Sequence, residues 1–120
     1  MIKKLITSVF GTRHEREARH LKPVLDAIHA EEARLGALSE DELKAQTTKF
    51  RGIIAERTGA LGRAVDEARA AKHACADPGE RERLEEQVQQ LEGQYRNAVA
   101  AVLDDLLPEA FATVREACRR

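Results

Sequence analysis

Apolar residues recur three and four positions apart along most of this chain, with polar and charged residues between them. From position 84 the apolar spacing is 4, 3, 4, 3 and 4, through Leu84, Val88, Leu91, Tyr95, Ala98 and Val102. That spacing is typical of the a/d seam of a coiled coil. No stretch long enough for a strand alternates apolar and polar residues with a period of two. The pattern therefore predicts an all-α fold.

The best-specified helix start lies at Ser39. Ser39 and Glu42 are three positions apart and form a capping box, in which each side chain can bond the other residue's backbone amide. Leu38 and Leu43 add a hydrophobic staple around this start, and the acidic residues at 40–42 favour the positive end of the helix dipole. A core-facing stripe is predicted to follow at Leu43, Thr47, Phe50, Ile53 and Ile54.

The preceding helix has its own boundary signals. Thr12 and Glu15 form a second capping box, and Pro23 predicts a kink or a break near Lys22 because proline removes an amide donor. Gly36 is expected to close this helix as a left-handed cap. The core stripe predicted for it comprises Ala18, Leu21, Val24, Leu25, Ile28 and Leu35.

A long antiparallel helical hairpin is predicted after residue 58. Gly59 and Gly62 are expected to interrupt the earlier helix, and an apolar stripe then resumes at Leu61, Ala64, Val65, Ala68, Ala71 and Cys75. In the turn, Asp77 is expected to cap the next helix and Pro78 to take its first position. Pro108 is expected to end that helix and start the last one.

Composition limits the function classes. The 120 residues are one domain at most, with 34% charged and 3% aromatic residues, so the core is thin and aliphatic. A net charge of −1 argues against a general nucleic-acid binder. The charge is uneven, since six Lys or Arg residues face two Glu residues up to Lys22, a local balance of about +4. No secretory segment and no run of about 18 apolar residues is present, which predicts a cytoplasmic location.

Candidate chemistry is sparse. His14-Glu15 resembles the start of the zinc-protease HExxH motif, but His20 lies six positions after His14 instead of four, so no metal site is predicted. The sequence has no glycine-rich loop ending in Lys-Ser or Lys-Thr and no Ser/His/Asp motif. Cys75 and Cys118 are too far apart to suggest a disulfide framework. We predict no catalytic residue, no cofactor and no metal in this chain.

Residues 1–10 form a short amphipathic segment. Its apolar side comprises Ile2, Leu5, Ile6, Val9 and Phe10, and its polar side comprises Lys3, Lys4, Thr7 and Ser8. Ten residues are too few for a stable isolated helix in water. The segment must therefore dock on its own domain, on a partner protein or on a lipid surface.

Three blocks resemble the SecA family of ATP-driven protein-export motors. Residues 38–51, which begin LSEDELK and continue to Thr47 and Phe50-Arg51, resemble the family block LSDEELK…T…FR. Residues 103–117, LDDLLPEAFATVREA, closely resemble the block LDDLLPEAFAVVREA. Lys4-Leu5-Ile6, Val9-Phe10-Gly11 and Arg13 are similar to the usual first dozen residues of the family.

The resemblance implies an α/β motor domain in the parent protein, with ATP and Mg²⁺ as cofactors. Such a motor couples ATP hydrolysis to the export of preproteins through the SecYEG channel. The phosphate-binding loop is missing here, so the chain is expected to be truncated before it and inactive alone. Residues 59–100 have no counterpart in the common family pattern and are expected to be a lineage insertion.

The resemblance also implies a contact site at the N-terminus, for acidic lipids, for the SecYEG channel and sometimes for dimer contacts. It maps onto Ile2, Lys3, Lys4, Leu5, Ile6, Val9, Phe10 and Arg13. The implied partners are the channel, an anionic phospholipid surface, preproteins and a possible homodimer, with no nucleic acid. The implied location is cytoplasmic, peripheral at the inner face of the cell membrane.

Four regions are predicted: an N-terminal amphipathic segment (1–11), a helical base (12–58), an inserted hairpin (59–100) and the start of a nucleotide-binding domain (101–120). The alternative interpretation is a free-standing helical hairpin module for protein interaction, without enzymatic activity. Sequence contiguous with Arg120 would distinguish them, because the motor requires a downstream phosphate-binding loop.

Overall fold

The computed structural model describes residues 2–120, apart from the side chains of Thr7 and Phe10. Within this part of the chain there are four helices and no strand, so the all-α prediction is confirmed. The helices are α1 (Ile2–Phe10), α2 (Arg13–Gly36), α3 (Glu40–Ala74) and α4 (Pro78–Arg119). Two compact units are formed: residues up to Leu43 together with Pro108–Arg120, and Lys44–Leu107.

Both predicted capping boxes are present. At the start of α2, the Glu15 amide donates to Thr12 Oγ1 at 3.2 Å, and the Thr12 amide donates to Glu15 Oε2 at 2.8 Å. At the start of α3, the Glu42 amide donates to Ser39 Oγ at 3.2 Å, and the Ser39 amide donates to Glu42 Oε2 at 2.7 Å. These bonds satisfy backbone amides that have no partner within the helix.

The turn before α4 also agrees with the sequence. Pro78 is the first residue of α4, and the Glu80 amide donates to Asp77 Oδ2 at 2.9 Å. Between α1 and α2, Gly11 has a φ of +71°, a conformation that glycine adopts without a steric penalty. Local chemistry therefore sets where these helices begin.

The break predicted near Pro23 and the helix end predicted at Pro108 are absent, while the kink predicted as the alternative near Lys22 stays a prediction. Helix α2 runs without a break through Pro23, and α4 runs through Pro108. Each proline removes the amide that would have bonded the carbonyl four residues earlier, at Arg19 and Asp104. Both of those residues are exposed, so water can bond the freed carbonyl groups.

The interruption predicted at Gly59 and Gly62 is also wrong, because α3 continues to Ala74. A Cβ atom on Gly62 would lie 3.4 Å from Tyr95 Cε2, so the aromatic ring of α4 packs directly on this part of α3. That packing outweighs the low helix propensity of glycine.

The left-handed cap predicted at Gly36 is wrong as well. Gly36 is the last residue of α2, and Gly11 is the one glycine with a positive φ in the part of the chain that the structure describes. The cap residue Ala37 has a φ of −84°, and its amide bonds the Arg34 carbonyl at 3.3 Å. The Arg120 guanidinium then donates to the Leu38 carbonyl at 2.6 Å. The Leu38 carbonyl in the segment between α2 and α3 is therefore bonded by a side chain distant in sequence, and the segment needs no left-handed glycine.

Within the unit Lys44–Leu107, α3 and α4 form an antiparallel pair. Its apolar seam contains the buried residues Val65, Ala68, Val88 and Val102 and the half-buried residues Leu61, Ala64, Leu84, Leu91, Tyr95 and Ala98. Ion pairs join Arg57 to Asp105 at 2.9 Å, Arg69 to Glu92 at 2.5 Å, and Lys72 to Glu85. In each pair the base lies on α3 and the acid on α4, and the residue numbers run in opposite directions. The predicted antiparallel hairpin is therefore confirmed.

The predicted stripe on α3 is correct for most positions. Leu43 is buried and Phe50, Ile53 and Ile54 are half-buried, but Thr47 is exposed, and Ala71 further along α3 is exposed too. The buried neighbour of Thr47 is Gln46. Neighbouring residues on a helix point about 100° apart. The packed face here is turned by one residue from the predicted one, so Gln46 is buried and Thr47 is exposed.

The other unit has its core between α2, the start of α3 and the end of α4. Leu35 is completely buried there, with Ile28, Leu43 and Ala112 around it and Val24 and Leu38 packed against them. On the rim of this core, Arg34 pairs with Glu109 and Arg115 pairs with Glu32, both at 2.6 Å. These contacts hold the last turns of α2 against α4.

Candidate functional site

Helix α1 exposes its apolar side. Ile2, Leu5, Ile6 and Val9 have exposed fractions of 74%, 67%, 53% and 74%. Lys3 and Lys4 are also exposed, and helical periodicity places them away from the apolar side. A nine-residue helix gains little stability from its own hydrogen bonds. A surface that covers these four side chains would therefore stabilise α1.

The remaining two predicted contact residues differ from this group. Phe10 ends α1, but its side chain lies outside the described residues. Arg13 begins α2, beyond the left-handed Gly11, and its Nε donates to Glu17 Oε1 at 2.9 Å. Arg13 is thus on a different helix and already pairs with a carboxylate, although its side chain is 85% exposed.

The first half of α2 exposes two leucines that were predicted to be in the core. Leu21 and Leu25 have exposed fractions of 58% and 49%, and Ala18 is exposed as well. The ion pairs Arg34–Glu109 and Arg115–Glu32 join α4 to the last turns of α2, beyond these exposed leucines. The apolar periodicity of α2 continues beyond its packed part, so periodicity alone could not separate buried positions from exposed ones.

An ion cluster holds the end of α4. The side chain of Glu116 is 6% exposed and accepts hydrogen bonds from Arg119 at 2.6 Å and Arg120 at 2.8 Å. These bonds lower the pKa of Glu116 to about 2. Arg120 also bonds the Leu38 carbonyl at 2.6 Å, so the cluster connects α4 to the segment between α2 and α3. A carboxylate held ionised by two guanidinium groups is suited to a structural role.

Other reactive groups are scattered in the part of the chain that the structure describes. His14, His20, His29 and His73 are all exposed. No group of three or more His, Cys, Asp or Glu side chains there could hold a metal ion. Cys75 and Cys118 are free thiols. None of the described helices combines the length and the apolar character needed to cross a membrane.

Comparison with known proteins agrees with the motifs. The model of the SecA DEAD-like domain family matches residues 6–120. The protein translocase subunit SecA of Acidobacterium capsulatum is 35% identical over 120 residues, covering 100% of this chain and 9% of the relative. Those of Amoebophilus asiaticus and Chlorobaculum tepidum are 34% and 31% identical over 121 residues, each covering 98% of this chain and 11% of the relative. No solved structure matches.

The alignments pass through residues 59–100, since they cover 98–100% of the chain with 120 or 121 aligned positions. These relatives therefore have a counterpart of the hairpin segment, and the expectation of an unmatched insertion does not hold for them. The chain spans about a tenth of the length of these relatives, 9–11%. With a family model matched over nearly all its residues and relatives at least 30% identical along its whole length, the chain belongs to the SecA family.

Proposed function

We propose that this chain is the N-terminal part of a SecA-type protein translocase subunit. Such a subunit couples ATP hydrolysis to the export of preproteins through the SecYEG channel. The family match over residues 6–120 and the curated relatives named protein translocase subunit SecA support this proposal. The 120 residues include no phosphate-binding loop, so ATP and Mg²⁺ would bind to other parts of such a subunit. By itself the chain would neither bind nor hydrolyse ATP.

Within that subunit, α1 would attach the protein to the anionic inner face of the cell membrane, close to the channel. The exposed apolar side of α1 supports this proposal, since four large side chains on a nine-residue helix are 53–74% exposed. Burial of each such side chain is worth about 1.5–3 kcal/mol when it is complete. Lys3 and Lys4 would each add roughly 1 kcal/mol near an acidic lipid surface.

The unit formed by α2, the start of α3 and the end of α4 would serve as a helical base for the parent motor domain. Leu35 is fully buried in it, and the ion pairs Arg34–Glu109 and Arg115–Glu32 fix the helices against each other. A packed base of this kind would give the motor domain a fixed helical surface to pack against.

A chimera tests the translocase assignment. The matching segment of the Acidobacterium capsulatum SecA would be replaced by this chain, and ATP-dependent transport of a preprotein into SecYEG vesicles would be measured. We expect transport at a rate near that of the parent. In the same chimera, the substitutions Leu5→Asp and Ile6→Asp should abolish transport but leave the ATPase activity in solution intact.

The matched control is Gln87→Asp with Gln90→Asp, which adds the same charge at exposed positions of α4. A chimera that folds and hydrolyses ATP but transports nothing would favour the free-standing interaction module instead. Separately, micromolar affinity of the 120-residue chain for ATP in isothermal titration would contradict the proposed inactivity of the chain alone.

A further inference from the structure

Helix α2, like α1, has an exposed apolar side near its start. Leu21 and Leu25 have exposed fractions of 58% and 49%, and Ala18 and His14 are exposed as well. These four residues are spaced 4, 3 and 4 positions apart, so they lie on one side of the helix. We call this set, His14, Ala18, Leu21 and Leu25, the α2 stripe. The buried residues of α2 lie further along the helix, after position 25.

The α2 stripe and the apolar side of α1 match when the direction of the chain is reversed. The matched pairs are Val9 with His14, Leu5 with Ala18 and Ile2 with Leu21. In each pair the two residues are equally distant along the chain from the junction of Gly11 and Thr12, which are the two residues that link α1 to α2. An antiparallel arrangement of the two helices about this link therefore places one apolar side opposite the other.

The link is long enough for such an arrangement. Three Cα–Cα steps separate the last residue of α1 from the first residue of α2, and they span up to about 11 Å. Packed helices lie about 8–10 Å apart. Gly11 has a φ of +71° and is free to adopt either sign of φ, so a change in its dihedral angles reorients α1. Thr12 remains the N-cap throughout, because its bonds with Glu15 lie within the start of α2.

We propose that α1 folds back about Gly11 and packs its apolar side on the α2 stripe, in exchange with the open arrangement that the structure describes. In the open arrangement Ile2, Leu5 and Leu21 are 74%, 67% and 58% exposed. Closure removes apolar surface of both helices from water, which is its driving force. It also gives α1 the packing partner that a helix of nine residues needs in water.

Like charges oppose closure. Lys3 and Lys4 lie on α1, and Arg16, Arg19 and Lys22 lie in the first half of α2, all of them exposed. Bringing the two helices together brings these charges closer, and salt screens their repulsion over a distance of about 10 Å at 0.1 M. The closed arrangement therefore becomes more populated as salt rises.

Closure has a consequence for binding. The closed arrangement uses the apolar side of α1 within the chain and withholds it from any other surface, so the contact with the α2 stripe is autoinhibitory. A surface that binds α1 must compete with the α2 stripe. This consequence, unlike closure itself, rests on the proposed membrane contact of α1.

Disulfide trapping of the full chain tests closure. In a Cys75→Ala and Cys118→Ala background, Ile2→Cys with Leu21→Cys should form an intramolecular disulfide at least tenfold faster than Ile2→Cys with Arg19→Cys. Arg19 is the matched control because it is exposed and lies about 160° around α2 from Leu21. The ratio of the two rates should rise with salt. Equal rates, or disulfides that form only between two molecules, would overturn the proposal.

Hydrogen exchange tests closure without cysteine substitutions. The amides of residues 6–10 should be protected in the original chain, and Leu21→Gln should speed their exchange several-fold because it removes an apolar contact of the closed arrangement. Ala30→Gln changes an exposed position of α2 outside the stripe and should leave their exchange unchanged. Exchange of residues 6–10 at the rate of an unfolded peptide in all three chains would overturn the proposal.

Lipid vesicles test the autoinhibitory role. Vesicles containing phosphatidylglycerol should slow the disulfide between positions 2 and 21 several-fold, and vesicles of pure phosphatidylcholine should leave its rate unchanged. If this disulfide forms quickly and neither kind of vesicle slows it, the autoinhibitory role and the proposed membrane contact are both overturned. Equal rates for the two cysteine pairs without vesicles would instead overturn closure, so the two failures are distinguishable.

Discussion

The helical hairpin of α3 and α4 and the short helix α1 are both amphipathic, but they differ in what covers their apolar sides. In the hairpin, Val88 and Val102 are only 5% and 2% exposed because α3 packs against them. In α1, Ile2 and Val9 are both 74% exposed. The same periodicity thus produces an internal seam in one region and an uncovered surface in the other. Periodicity identifies the apolar face of a helix, and only the structure shows whether the chain itself covers it.

The two regions differ in exposure because α3 and α4 are long and pack against each other, whereas α1 is short. The α3–α4 pair brings two long helices side by side, so each supplies the apolar surface that the other needs, and ion pairs such as Arg69–Glu92 align them. Helix α1 has nine residues, and its large described apolar side chains are 53–74% exposed. Substitutions at covered positions should therefore change the stability of the fold, and substitutions on α1 should change binding to a partner.

The largest loss of stability is expected from Leu35→Ala. Leu35 is the largest fully buried side chain among the described residues, so its truncation leaves a cavity between α2 and α4. We expect the free energy of unfolding to fall by about 3 kcal/mol, measured by urea denaturation. Leu25→Ala on the same helix removes a side chain that is 49% exposed and should change it by less than about 1 kcal/mol. Equal losses for the two variants would contradict the assignment of the core.

Val88→Ala tests the seam of the hairpin. Two carbon atoms are removed from a buried site, so we expect a loss of about 2 kcal/mol. Hydrogen exchange should become faster in residues 59–100, while protection in the second half of α2 stays unchanged. If protection in α2 falls to the same extent, the two compact units do not unfold separately.

Low pH should weaken the ion cluster of Glu116. Its pKa is about 2 in the folded chain, against an ordinary value of 4.5, because Arg119 and Arg120 donate hydrogen bonds to it. A carboxyl group with a lowered pKa stabilises the fold above its unfolded pKa, and that contribution disappears as the pH falls from about 4.5 to about 2. Glu116→Gln should therefore lower the thermal midpoint at neutral pH and show a smaller further decrease in acid.

The matched control for this variant is Glu86→Gln, which changes an exposed side chain without any ion pair to a described residue. Its acid dependence should follow that of the original chain. Identical acid dependence for Glu116→Gln and the original chain would show that the cluster does not contribute to stability.

The smallest effects are expected at two glycines. A Cβ atom at Gly11 would lie 2.6 Å from Glu15 Oε2, and the residue has a φ of +71°, so Gly11→Ala should destabilise the junction of α1 and α2 by about 1–2 kcal/mol. Gly52 in α3 has no atom within 4 Å of such a Cβ, so Gly52→Ala should stabilise α3 by about 0.5–1 kcal/mol. Urea denaturation measures both changes, and effects of the same sign would contradict this contrast.

The starts of α2, α3 and α4 could be predicted from the sequence because each one depends on two residues three positions apart. The bonds between Ser39 and Glu42 and between Thr12 and Glu15 need no information from the rest of the chain. The apolar seam of α4 was predictable for a similar reason, since its spacing repeats over five turns.

Helix ends and interruptions could not be predicted because distant residues decide them. The segment after Gly36 is closed by Arg120, which lies 82 positions from the carbonyl of Leu38. Gly62 stays helical because the ring of Tyr95 packs against it. The contact site on α1 is implied by the family resemblance, because the apolar spacing of residues 2–10 does not show what covers their side chains.

Vesicle flotation tests most directly whether the uncovered side of α1 is a membrane contact. The chain should float with vesicles containing phosphatidylglycerol and not with pure phosphatidylcholine, and binding should fall as salt rises. Lys3→Glu together with Lys4→Glu should weaken binding by more than about 30-fold. Arg63→Glu with Arg96→Glu makes the same charge change in the hairpin unit and should have a much smaller effect. Equal binding to neutral and anionic vesicles, or equal losses for the two double variants, would contradict the account.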